Sequence, residues 1–110
     1  MRRLLLRLIL ASSLWFLAFP TATQGQSDPT TIYKTKCMLC HSADGSGDSP
    51  TGRAMHAKDL RSEEVQKQSD EALAEVITKG KGKMPAFGAK IKPDDVQKLV
   101  AYIRNLPSKK

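Results

Sequence analysis

Cys37-Met38-Leu39-Cys40-His41 holds both cysteines of the chain and one of its two histidines. Thiols three residues apart sit on one helical turn and face the same side. His41 follows at once, so an imidazole accompanies them. Tyr33 stands four residues before Cys37, which places Tyr33, Cys37 and Cys40 on a common helical face. Upstream, Asp28-Pro29 is an N-cap followed by a first helical residue, so the run is expected to lie on a helix that starts there.

Four chemistries use paired cysteines at this spacing. A thioredoxin-like redox pair sits at a strand–helix junction, and no alternating strand pattern surrounds this one. A structural zinc site needs four ligands, and only Cys37, Cys40, His41 and His56 are on offer. A plain disulfide has no use for the histidine. The remaining reading is C-x-x-C-H attachment of a c-type haem. The two thiols reach the two vinyl groups of the porphyrin, and His41 is carried beneath the iron to supply a ring nitrogen. One covalently attached haem c per chain is the cofactor this predicts.

The rest of the chain fits a small exported protein. Of its 110 residues, Met1-Arg2-Arg3 and Arg7 give a positive start, Leu8 to Phe19 is apolar-rich, and Pro20 and a small polar stretch to Gly25 follow. That order is a secretory signal peptide, with cleavage expected after Ala22 or Gly25 and a periplasmic destination. The apolar run is short for a membrane span, and an uncleaved amphipathic or membrane anchor is the alternative reading. The expected domains are 1–25 as signal and 26–110 as one haem domain. Removing residues 1–25 takes three of the 18 Lys and Arg and none of the 11 Asp and Glu, so the net charge falls from +7 to +4. Export argues against nucleic acid as the partner of this basic surface. An acidic protein is the better match. A chain this small makes a thin core and is expected to need a bound group to hold it.

Helix signals recur downstream. Ser62 precedes Glu63-Glu64, and Ser69 precedes Asp70-Glu71 with an apolar face of Leu73, Val76 and Ile77 that stops at Gly80. Pro93-Asp94-Asp95 opens a last helix carrying Val96, Leu99, Val100 and Ile103 at i, i+3, i+4 and i+7, ending by Leu106-Pro107. Ser42 to Gly52, rich in Gly, Ser, Asp and Pro, reads as a loop, as does Lys79 to Lys92. The fold class is all-α: three to four short helices, with long loops wrapped around the haem.

Met84, Met55, His56 and Met38 are the candidates for the second axial ligand. Met38 lies beside the attachment turn, on the side His41 already uses. Met84 sits in Gly80-Lys81-Gly82-Lys83-Met84-Pro85, where the glycines let the backbone pass close to the ring and Pro85 holds Met84 extended. His56 and Met55 stay open behind it. His41 and Met84 are thus the expected metal ligands. An apolar pocket of Leu60, Leu73, Val76, Ile77, Leu99, Val100 and Ile103 is expected around the ring.

Tyr33, the Cys37–His41 run, Lys83-Met84-Pro85 and the last helix with Leu99, Val100, Tyr102 and Ile103 together resemble a class I c-type cytochrome of the small single-haem bacterial kind. The resemblance covers about Asp28 to Leu106. It implies that the first and last helices cross, with Tyr33 at the contact. It also implies that the Pro50 carbonyl binds the other ring nitrogen of His41 and so adds Pro50 to the cofactor-binding residues.

The expected function is one-electron transfer between exported or membrane-bound redox proteins, by a monomer and without substrate chemistry. Lys34, Lys36, Lys79, Lys81, Lys83 and Lys90 are expected to form a positive collar for an acidic partner. Two other readings remain open here. A labile sixth position would make a ligand sensor or weak peroxidase, and the chain could also be a cytochrome subunit of a larger redox enzyme.

Overall fold

A computed structural model describes residue 25 and residues 27–108. The expected signal segment lies outside the described residues except for Gly25.

Each helix begins where a side chain satisfies backbone N–H groups that the first turn leaves unpaired. The Asp28 carboxylate accepts from the Thr30 and Thr31 amides at 3.4 and 3.3 Å, opening α1 (Pro29–Ile32). The chain continues through a π-helical turn, Tyr33–Cys37, into α2 (Met38–His41). The Met38 amide reaches back to the Tyr33 carbonyl, one residue further than an α-helix allows. Regular α-spacing from Tyr33 to Cys40 was the expectation; the wider turn sits between them, and such turns mark functional sites in many helices.

Ser49 caps α3 (Pro50–Ala54), its hydroxyl accepting from the Gly52 amide at 3.0 Å. This corrects the loop expected from Ser42 to Gly52. Ser49-Pro50 repeats the cap-then-proline pattern of Asp28-Pro29, and the surrounding Gly and Asp residues obscured it. Ser62 caps α4 (Glu63–Gln66) and Ser69 caps α5 (Asp70–Lys79), which ends at Gly80 as its sequence predicts. Pro93 starts α6 (Pro93–Arg104). No strand occurs among the described residues, only an isolated backbone bridge between Lys81 and Met84. The protein is all-α.

α6 packs against both α1 and α5. The Tyr33 ring, 1 % exposed, meets Tyr102 with centroids 4.9 Å apart, and Leu99 and Val100 are buried in the same core. Truncating a fully buried leucine such as Leu99 to alanine typically costs about 2–5 kcal/mol. At the far end of α6, Arg104 donates from Nη1 to the Gln66 carbonyl at 2.7 Å and from Nη2 to the Gln68 carbonyl, while Nε reaches Asp70 at 3.0 Å. The guanidinium thereby ties the α4–α5 junction to the last helix. Both contacts of α6 serve the same end, since the cavity between α2 and α5 is roofed by Leu99 and Ile103.

Candidate functional site

The attachment turn opens on a cleft of about 740 Å³ that continues into a narrower inner end of about 140 Å³. Volumes of this order hold drug-sized and cofactor-sized molecules. Cys37, His41, Val76, Met84 and Phe87 line both parts. Cys40, Met55 and His56 line only the outer part, and Met38 lines neither. The inner end is predominantly apolar, walled by Leu60, Val65, Leu73, Ile77, Leu99 and Ile103, with Lys58, Glu64, Gln68 and Lys81 also on its lining. Val100, expected in this wall, is instead buried in the helix crossing. Val65 and Phe87, missing from the expected wall, take part in it.

His41 owes its orientation to a backbone atom. Its Nδ1 lies 3.0 Å from the Lys58 carbonyl, which can only accept, so Nδ1 carries the proton and Nε2 is left with a free lone pair. The expectation that Pro50 supplies this carbonyl is corrected here. Pro50 is the first residue of α3, so its carbonyl points along the helix axis toward the following turn. The α3–α4 connection brings Lys58 into its place. Burial depresses the protonation of His41 below its ordinary value, partly opposed by the Lys58 bond. A neutral imidazole is the form that binds metal.

The Cys37 thiol differs from the reactive thiol of a dithiol redox centre. Burial pushes the Cys37 thiol up to about 11. A reactive pair needs a depressed value, because the thiolate is the nucleophile. Cys37 and Cys40 are half-buried and unbridged. Among the described residues, no group of three or more His, Cys, Asp or Glu side chains is placed to hold a metal ion.

The Met84 segment is shaped by close backbone approach. Gly80 leaves α5 at φ 75°, and a Cβ there would stand 2.6 Å from the Met84 carbonyl oxygen and 2.9 Å from the Ala86 nitrogen. Lys81 and Met84 exchange backbone hydrogen bonds at 3.1 and 3.0 Å, folding the loop into a tight turn. Phe87 and Gly88 then donate to Ile77 and Thr78 at 3.0 Å each, returning the chain to α5. The thioether is partly buried and packs on the core. Tyr33 completes the inner end. Its hydroxyl donates to the Ser42 carbonyl at 2.7 Å, bracing the residue just after His41, and burial raises its pKa.

Two thiols, an imidazole with a free Nε2 and an apolar cleft are the donor set that a covalently held haem requires. Comparison with known proteins agrees. The family model described as cytochrome c oxidase, cbb3-type, subunit III matches residues 24–103. The chain is 32% identical over 75 residues to cytochrome c6 of Aphanizomenon flos-aquae, covering 66% of this chain and 79% of that one. Against cytochrome c6 of a Nostoc species it is 28% identical over 105 residues, covering 94% and 92%. The solved c-type cytochrome KustC0563 superimposes with a TM-score of 0.68 at 32% identity, over 76% of this chain and all of that one.

The chain belongs to the class I c-type cytochromes.

The cytochrome accordingly carries a covalently bound haem c and is a haem electron carrier. Cys37 and Cys40 stand at the attachment spacing. No helix among the described residues is long and apolar enough to cross a membrane. Besides Val65 and Phe87 in the cavity wall, sequence reasoning missed the Lys58 carbonyl. It is a backbone atom and leaves no residue-type signal.

Proposed function

We propose that the cytochrome is an exported one-electron shuttle with His41 and Met84 as axial ligands and with thioethers at Cys37 and Cys40. The observation that carries this is the shared lining: His41 and Met84 both face the whole length of the cleft, whereas Met55 and His56 reach only its mouth. The haem supplies a single redox electron. The chain's residues do the rest. Lys58 holds the His41 proton on Nδ1, the Gly80 turn presents Met84, and the predominantly apolar inner end disfavours water. Were His41 and Met84 both bound to the iron, the protein itself would fill the places a substrate would need. Residues 1–25 act as the signal and residues 26–110 as the haem domain, delivering a monomer to the periplasm.

Four lysines, Lys36, Lys58, Lys81 and Lys83, line the outer cleft, and no carboxylate does. Lys58 is partnered by Glu64 at 2.9 Å and Lys79 by Glu75 at 2.9 Å, while Lys34 and Lys90 lie outside the cleft lining. The docking collar is therefore narrower than six lysines, centred on Lys36, Lys81 and Lys83, and suits a redox partner with an acidic surface. Oxidation of the reduced cytochrome by ferricyanide, a compact anion, is expected to slow as salt is added. Replacing Lys36, Lys81 and Lys83 together by glutamine should slow it about tenfold at low ionic strength. Rates that ignore both salt and the substitutions would refute the collar.

A second reading has one specific support, the oxidase-subunit description of the matching family. In that case the cytochrome serves the same electron transfer as a bound component. Co-purification from native membranes with a large oxidase would favour it over the free shuttle.

A further inference from the structure

The Met84 loop is tied at both ends to α5, through Gly80 to Val76 and through Phe87 and Gly88 to Ile77 and Thr78. Those bonds fix the loop to one side of the cleft only. His41 belongs to the other side, formed by α2, α3 and the chain to Lys58. Among the described residues, one hydrogen bond of the loop crosses between them: Lys83 Nζ donates to the Ala54 carbonyl at 3.4 Å. Ala54 ends α3, where a last-turn carbonyl has no helical amide to bind and favours a cation. Lys83 immediately precedes Met84 in the chain, so the crossing bond is anchored one residue from the thioether.

We infer that Lys83 is a positioning residue, a latch whose bond to the end of α3 closes the cleft mouth and holds Met84 toward the His41 side. The inference rests on Met84 being the iron ligand. An exposed bond at this distance is weak, so the latch does not hold the fold together. Its effect is confined to how often the loop lifts. Lys81, two residues earlier, has the same charge and lines the same cleft, yet its ammonium makes no hydrogen bond across it among the described residues. This separates latching from charge. The inference also gives Lys83 two competing uses, since a partner carboxylate that takes its ammonium draws it from Ala54.

Imidazole titration of the ferric holoprotein tests the latch, because imidazole binds in proportion to the fraction with Met84 lifted. Loss of the sulfur-to-iron charge-transfer band reads the binding, and far-UV circular dichroism in urea reads global stability. Lys83→Gln is expected to bind imidazole about threefold more tightly with an unchanged urea midpoint, the size of effect an exposed charged contact has. Lys83→Arg, which keeps a donor of similar reach, and Lys81→Gln should both match the wild type. Wild-type affinity in Lys83→Gln would overturn the latch. So would an equal gain in Lys81→Gln, or a gain matched by an equal loss of global stability. A wild-type protein lacking the sulfur band from the outset would instead remove Met84 as ligand, and the latch with it.

Discussion

Met84→Ala is expected to abolish the weak sulfur-to-iron band and to lower the reduction potential by on the order of 0.1 V or more, with the haem still covalently bound. A thioether is a soft, neutral donor that favours the reduced iron. Nitrogen or oxygen donors in its place favour the oxidised iron, so the potential falls. The thioether bonds to Cys37 and Cys40 do not depend on the sixth ligand, which is why colour should survive acid-acetone extraction of the variant. Visible spectra and a spectroelectrochemical titration of wild type and variant decide the point. A sulfur band that persists in the variant would move the ligand to Met55, the next thioether on the cleft. An unchanged potential without any sulfur band in the wild type would move it to His56, which is exposed on the turn after α3 at φ 54°.

The shape of the Met84 loop was partly legible in the sequence and partly not. Gly80 and Pro85 mark a loop able to pass close to a bound ring; what Gly80 meets within the fold is the Met84 carbonyl. The periodicities of α5 and α6 and the caps Asp28, Ser62 and Ser69 were also legible, because side chains at fixed offsets carry that information. The Cys37–His41 run declared its own chemistry. The acceptor for His41 was not legible, since a carbonyl belongs to every residue and its place is set by the path of the chain. The resemblance supplied Pro50, and the structure brought Lys58 instead. The π-helical turn at Tyr33–Cys37 was hidden for a related reason, as its residues read equally well as α-helix. Of the lysine collar, the sequence marked the charges. Only the fold distinguishes Lys36, Lys81 and Lys83 at the mouth from Lys79, which is paired on the helix surface.

Gly52→Ala is expected to destabilise the holoprotein by about 3 kcal/mol, the upper range for overpacking a tight contact. Gly52 is buried inside α3, where alanine would ordinarily gain about 0.5–1 kcal/mol over glycine. The sign is reversed by what surrounds it. A Cβ at Gly52 would overlap the carbonyl oxygens of Cys40 and Gly47, both backbone atoms that no side-chain rotation can move. This close approach is how α3 lies against α2, and it belongs to a closed circuit around His41. The Gly47 amide donates to the His41 carbonyl at 2.9 Å, and the Ala57 amide donates to the Gly52 carbonyl at 2.8 Å. One residue after Ala57, Lys58 returns to His41 Nδ1. Pushing α3 away therefore displaces the group that orients the imidazole as well as the helix itself. Urea unfolding should show the lost stability, and with His41 as the proposed iron ligand the visible spectrum of the folded fraction should change as well. A variant within about 0.5 kcal/mol of wild type would mean that α3 can shift freely, and that the Lys58 carbonyl is held by something other than this contact.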